Sequence, residues 1–550
     1  MNGSSKIKPP APFADRKLWA VSAGALLAAW LVVIAFTFRD YGITWDEDVR
    51  STYGEYIIRW YASGFRDTAA LHYFLLSVQG GFFNVLERLA QRVSPFGGFE
   101  TSHLLNTIFG VLAAWGAYRL GSAAMNRLAG FASALFLILT PSFYGHSFNN
   151  PVDVPAAALW IWAVYFLVRM IPLLPTPPWQ AAVRLGVITG LALAMRMGSV
   201  LLVAYIGLAF AAWLVLEGRP VRACAAKLAR TFAIVCGAAY VAMLPWWPAA
   251  ILHPLYQPAK GLWFATHFEF PFDVFFEGKW ISNMHLPRYY VAKMFLISLP
   301  EFYFIALCAG AAMAIPAARR AYQDGNAARR RMLALAVIAA AALLPVLYTV
   351  IARPVDYDGI RHYLFVVPFA AVLCGCAAAA LSAGRGAWRW VSGAGIVASL
   401  ALTAADMHAL HPDEYVYFNR AFGGGLAKAA QLYETDYWGN SYKEGVDWLA
   451  AHYRPAAGRK IKVASCSYSL STSYFLPADR FEYVGSYEKG QFVSDQADVF
   501  LATTRWNCDR RVTGKIIHVV ERQGAPLLYI KEVARPAEPP PVLKAEGRVQ

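Results

Sequence analysis

The sequence predicts an α-helical polytopic membrane protein with about eleven transmembrane helices and a small C-terminal α/β extracytoplasmic domain. Three observations predict it. The chain is 58% hydrophobic and only 15% charged, less charge than a soluble protein of 550 residues carries. Its apolar residues gather in eleven runs, at 18–38, 103–120, 126–141, 154–172, 181–195, 199–216, 229–250, 292–315, 332–351, 364–382 and 388–405. Each run is long enough, or nearly so, to cross a hydrocarbon core of about 30 Å at about 1.5 Å per residue. Finally, the basic residues of the short loops fall in alternate loops, as the positive-inside rule requires.

The first run follows Arg16 and Lys17 and is not trailed by a small-residue cleavage site. It reads as a spanning helix, with residues 1–17 as a cytoplasmic N-terminus. Arg119 and Arg127 flank the next loop on that side, followed by Arg169 and Arg184, then Arg219, Arg222, Lys227 and Arg230. Arg319, Arg320, Arg329, Arg330 and Arg331 come next, then Arg385 and Arg389. All of these share one face only if Arg196-Met197-Gly198 separates a fifth helix from a sixth. The +15 net charge is thus a topology signal, not the basic face of a nucleic-acid binder.

The other face receives residues 39–102, 142–153, 251–291, 352–363 and the tail from 406. Residues 18–405 form the membrane domain. In its external loop 39–102, Val49, Tyr53, Tyr56, Ile57 and Trp60 recur at helical spacing and suit an interfacial helix lying on the bilayer. Residues 406–533 predict a small domain: a helix at 442–453, strands at 460–467 and 498–503, and a hairpin turning about 522–525. The Pro-rich, charged end 534–550 reads as disordered. Cys224, Cys236, Cys308, Cys374 and Cys376 lie in or beside apolar runs and read as small buried hydrophobes. Cys466 and Cys508 both fall in the tail, where a disulfide is an option in an oxidising compartment.

The unusual polar residues gather in the external loops. In Asp40-Tyr-Gly-Ile-Thr-Trp-Asp-Glu-Asp48, three successive carboxylates beside a low-dielectric surface raise one another's pKa, which suits a general base. The alternative is a helix cap, with acids favoured at the N-terminus that begins near Glu47. In the turn 144–155, His146, Asn149, Asn150 and Asp153 exceed what a turn requires, although Asp153 also suits the start of a helix with Pro155 in its first turn. In the loop 353–363, Tyr357 and Asp358 precede Arg361 and His362 at the lip of a span. A guanidinium there matches a phosphate oxygen pair, or else snorkels to the interface. Arg196 has the same two readings.

With these residues in hand, the chain resembles bacterial GT-C glycosyltransferases of the protein O-mannosyltransferase and lipid A aminoarabinose-transferase superfamily. The resemblance rests on Ile43-Thr-Trp-Asp-Glu47, Phe148-Asn-Asn-Pro-Val-Asp-Val-Pro155, Tyr357-Asp-Gly-Ile-Arg-His-Tyr363 and Asp436-Tyr-Trp-Gly439. It implies a GT-C fold in the bacterial inner membrane and a polyprenyl-phosphate-linked sugar donor. The acceptor is a lipid, glycan or protein hydroxyl on the external face, and no nucleic acid takes part. The transfer is inverting and moves a hexosyl or pentosyl group. Asp46 maps to the base, with Asp153 assisting and Glu47 in support. Arg361, His362 and Arg196 are candidates for the donor phosphate, and His146, Asn149, Asn150, Tyr357 and Asp358 for the substrate pocket. No cofactor is required; a divalent cation is an option at Asp46, Glu47 and Asp153, whose oxygens suit it. The chain lacks the Lys-Pro-Pro-Leu of the aminoarabinose transferases; the comparable stretch is Leu71-His-Tyr-Phe-Leu.

The other classes considered are a transporter, a ligase or flippase of lipid-linked glycans, and a non-catalytic scaffold. A transporter places ionisable residues within its spans near the midplane. Here the spans are nearly free of acids.

Overall fold

The structure is a computed structural model. It describes residues 13–533 apart from 219, 268, 324, 385, 455–458, 467–468, 489–490 and 493–496. The disordered tail expected at 534–550 lies outside the described residues. All eleven apolar runs contain helix. Among the described residues, seven helices are long and apolar enough to cross a membrane, or nine if two bent pairs each count as one span. The remaining two runs, within Gly98–Ala124 and Trp179–Leu193, are helical without meeting the same measure.

The break expected at Arg196 is present. Arg196 is extended, and a short 3-10 turn, Met197–Ser199, leads into Val200–Glu217. Trp179–Leu193 packs closely on Val221–Met243 because Gly186 and Gly190 lack side chains. A Cβ on Gly190 would overlap the Ala239 carbonyl.

The two spans with the largest share of residues inside the protein are Asp153–Leu173, 83% buried, and Arg361–Ala383, 72% buried. The first span, Lys17–Thr37, is 17% buried and lies at the rim. The core spans therefore begin with Asp153 and Arg361, so packing of the interior sets where those two side chains sit.

Two expectations are corrected. Residues 141–149 are a helix and not part of a turn. Thr140 is extended, Pro141 starts the helix Pro141–Asn149, and that helix bends 67° from Arg127–Ile138. The helix Trp45–Ala62 does not lay its apolar stripe on the bilayer. Tyr53, Ile57 and Trp60 are buried in a cluster with Leu76 and Val85. Gly54 lets this helix meet Phe82–Val93 so closely that a Cβ would collide with the Asn84 carbonyl.

The chain falls into two compact units. The first runs to Glu434 with residues 523–525; the second holds Thr435–Arg522 and the chain from Pro526. Residues 406–434, expected in the tail domain, belong to the first. Asn419 anchors them, donating to the Leu296 and Leu299 carbonyls at 2.7 Å each. The first unit also holds a hairpin absent from the sequence reading, Asp273–Phe276 with Lys279–Ser282, turning through Glu277 and Gly278.

The second unit is the expected small α/β domain. Helix Tyr442–His452 buries Tyr442, Val446 and Leu449 against the sheet residues Val463, Leu501 and Ile530. Strand Ile461–Cys466 runs parallel to both Phe481–Glu488 and Val499–Thr503, and the last of these pairs antiparallel with Ala525–Val533. The expected hairpin turns through Gln523 and Gly524, both at positive φ, as a two-residue turn of the primed type needs. Cys466 and Cys508 are disulfide-bonded, with Cα atoms 6.1 Å apart.

Candidate functional site

Three of the expected residues converge. Asp46 lies in the first turn of Trp45–Ala62, Asp153 opens the helix Asp153–Met170, and Arg361 opens the 3-10 turn Arg361–Val366. The Arg361 guanidinium is 3.2 Å from the Asp46 carboxylate, 3.8 Å from Asp153 and 2.9 Å from Asp358. Arg196 reaches Asp153 at 2.7 Å. Buried charges of this kind persist only when paired. The Tyr357 ring lies under the Arg361 guanidinium at 5.5 Å, a cation–π contact.

Exposure separates the three acids. The Asp46 side chain is 36% exposed, against 2% for Asp153 and 1% for Asp358. Only Asp46 of the three presents its carboxylate to solvent.

Glu47, next in the chain, is placed differently. Its carboxylate accepts from the Thr44 N–H at 2.7 Å, the return half of a capping box, and its other oxygen meets His103 Nε2 at 2.9 Å. It is buried, so it braces the helix start that carries Asp46. Thr44 Oγ1 in turn donates to the Asn149 carbonyl at 2.9 Å, and the Asn149 amide reaches the Gly42 carbonyl at 3.5 Å. Asn149 therefore holds the end of the helix Pro141–Asn149 to the loop before Trp45. Asn150 has a related role. Its Oδ1 accepts from the Asp153 N–H at 2.9 Å while its amide donates to the Asp153 carboxylate at 3.0 Å. Helix capping thus falls to Asn150, which leaves the Asp153 carboxylate for the arginines.

Two expected residues stand apart from the ion pairs. His362 packs edge-on against the Tyr357 ring, with centroids 4.4 Å apart, and makes no ion pair among the described residues. His146 is buried with its ring against Tyr415, centroids 5.2 Å apart, and its carbonyl accepts from the Asn106 amide at 3.1 Å. Both nonetheless lie within electrostatic reach of Arg361.

Asp46 and Asp153 face Arg361, and among the described residues no three or more His, Cys, Asp or Glu side chains are placed to hold a metal ion.

Arg50 is the residue the sequence reading passed over. It lies one helical turn after Asp46 and interacts electrostatically with Asp46, Asp153, Arg196 and Arg361. Burial lowers its guanidinium below the usual arginine range, although Asp46 and Asp153 oppose the change. No carboxylate reaches it within ion-pair distance among the described residues. Spacing alone, position i+4 on a helix that begins at an acid, would have found it. A second omission is Glu87, fully buried beside Glu47; burial pushes its carboxyl up to about 8, with Glu47 adding to the rise.

Elsewhere His411, just past the helix Trp388–Leu410, ties that end of the helix to Asp40. It meets Glu414 at 2.8 Å and Asp40 at 3.0 Å, and the Tyr41 hydroxyl donates to Glu414 at 2.9 Å. Burial alone would lower the His411 imidazole, but the two carboxylates raise it to about 9.

Set against known proteins, part of the chain matches one family model. Residues 92–246 match the family model of the dolichyl-phosphate-mannose-protein mannosyltransferases. That match contains the Phe148–Pro155 motif and Arg196, and agrees with the resemblance read from the motifs. No curated protein is significantly similar. Among solved structures, ArnT from Cupriavidus metallidurans in the apo state is 14% identical, with 93% of this chain and 98% of that chain covered, at a TM-score of 0.47. ArnT bound to undecaprenyl phosphate gives 13%, 92%, 97% and 0.48 in the same order. An apo oligosaccharyltransferase from Archaeoglobus fulgidus gives 14%, 82%, 62% and 0.44.

Proposed function

We propose that this protein transfers a sugar from a polyprenyl-phosphate donor to an acceptor hydroxyl at the external face of a bacterial inner membrane, with inversion and with Asp46 as base. The observation that carries the assignment is the exposure of Asp46 within a cluster whose other acids are buried. The Cys466–Cys508 disulfide supports an oxidising compartment for the C-terminal domain.

The chemistry is one displacement. The acceptor O–H gives its proton to Asp46 as its oxygen forms a bond to the anomeric carbon. The bond from that carbon to the phosphate oxygen breaks, and its electron pair leaves with the lipid phosphate. Charge develops on the leaving phosphate, where a fixed guanidinium stabilises it. Arg361 and Arg196 remain candidates for that contact, and Arg50 joins them as the guanidinium with the least carboxylate around it. A phosphate that draws on Arg361 competes with Asp46 for it, so donor binding releases the base. Asp153 and Asp358 keep Arg361 aimed throughout. The displacement needs no cofactor.

Asp46→Asn, purified and assayed with a polyprenyl-phosphate sugar, should lose on the order of 10²–10⁴-fold in transfer rate while inserting and folding normally. Unchanged transfer would remove Asp46 from the mechanism. Arg361→Lys keeps the charge but loses the fork of donors, and should raise the donor KM roughly tenfold with the acceptor KM unmoved. If only acceptor affinity changes, Arg361 does not hold the donor.

A further inference from the structure

The loop that contributes Asp358 to the cluster also lines a second pocket, of about 120 Å3. Asn283, Arg288 and Tyr290 form one side, and Thr349, Arg353 and Asp356 the other. Arg288 and Arg353 are exposed, and neither has a carboxylate within ion-pair distance among the described residues. Asp356 is buried at the pocket and accepts from the Tyr363 hydroxyl at 2.7 Å. Burial pushes its carboxyl up to about 7, so near neutral pH it is often protonated and able to donate a hydrogen bond. The pocket is coupled to the cluster through the backbone. The Gly359 N–H, beside Asp358, donates to the Tyr290 hydroxyl at 3.0 Å.

Arg353 adds an observation from a different direction. It ends the helix Asn326–Ala352 at φ 52°, ψ 57°, a left-handed conformation in which glycine is the unstrained choice. A cation near a helix C-terminus gains from the dipole. That gain does not explain the place of Arg353 in the lining of a cavity that Arg288 also lines.

We propose that this pocket binds a phosphoryl group of a substrate that enters beside the Asp46–Arg361 cluster. Two guanidinium forks and a carboxyl that donates when protonated match the several acceptor oxygens of a phosphate ester. The word substrate rests on the transferase reading; the binding does not, and it is measured without turnover.

The test is calorimetric titration of the full-length protein in detergent with inorganic phosphate and, separately, with undecaprenyl phosphate. Wild type should bind inorganic phosphate. Arg353→Gly should weaken that binding at least tenfold while the unliganded protein melts no lower, since the substitution removes a strained side chain. Arg288→Gln should weaken it likewise and carries the same test if Arg353→Gly fails to fold. If undecaprenyl phosphate affinity falls in parallel, the pocket takes the donor's phosphate; if that affinity is unchanged, it takes the acceptor's. Wild-type affinity for both ligands in both variants, or no phosphate binding by wild type, would overturn the proposal. An Asp46→Asn protein that still transferred sugar would sink the catalytic assignment and leave these affinities readable.

Discussion

Asp46 and Glu47 are neighbours in the chain and belong to two different charge networks. Asp46 is partly exposed and shares Arg361 with two buried acids from distant parts of the chain. Glu47, one residue on, points into the protein, where it accepts from the Thr44 N–H and meets His103, with Glu87 behind it. A helix turns about 100° per residue, so adjacent side chains in its first turn face different surroundings. The first network keeps an acid within reach of solvent, with its counter-ion available to another anion. The second spends its acid on the helix start. On the proposed reading, identical chemistry in the sequence becomes reaction chemistry in one place and architecture in the other, and exposure makes the division.

The strongest attempt to break that division is Glu47→Gln against Asp46→Asn. Glutamine still accepts from the Thr44 N–H, so the capping box survives. The pairing with His103 does not. Removing one partner of a buried pair costs about 3–5 kcal/mol, somewhat less here because histidine can shed its charge. Glu47→Gln should therefore melt lower while retaining transfer within about tenfold of wild type, whereas Asp46→Asn keeps its melting temperature and loses transfer. If the two variants exchanged these behaviours in parallel stability and activity assays, Glu47 would be the reacting acid.

How far the site was legible in the sequence follows the same line. The apolar runs could be read because a bilayer demands some twenty apolar residues in a row, whatever packs around them. The break at Arg196 was legible because the basic loops fall on one face only if it exists. The meeting of Asp46, Asp153 and Arg361 followed from topology, since each lies at an external end, and from the motifs they sit in. What could not be read depends on packing. Nothing local says that Pro141 starts a new helix and not a turn, or that Gly54 brings Phe82–Val93 against a helix that looks interfacial. Arg50 was hidden among other arginines of a long loop, where the positive-inside rule says little. His103 read as one end of an apolar run, and nothing near Glu87 in the chain singles it out, because the partner of each lies tens of residues away.

Glu87 sharpens the comparison, since it is a buried carboxyl the proposed displacement leaves unused. Its folded-state pKa of about 8 lies above the ordinary value of 4.5 because burial disfavours the charged form. Between those two values the unfolded chain has lost the proton that the folded protein keeps. Stability therefore falls as pH rises, by up to about 1 kcal/mol per pH unit from 4.5 to 8, and levels off above. Below 4.5 both states are protonated and the effect vanishes. Glu87→Gln removes the titration and retains the shape. The variant should melt with wild type at pH 4 and above it at pH 8, the gap opening steadily between. A gap that does not change with pH would mean that Glu87 is ionised in the folded protein, paired with Arg88 or Arg50 rather than held neutral beside Glu47. In that case Glu47 and Glu87 would form a second charged site and not a brace, and the contrast with Asp46 would rest on exposure alone.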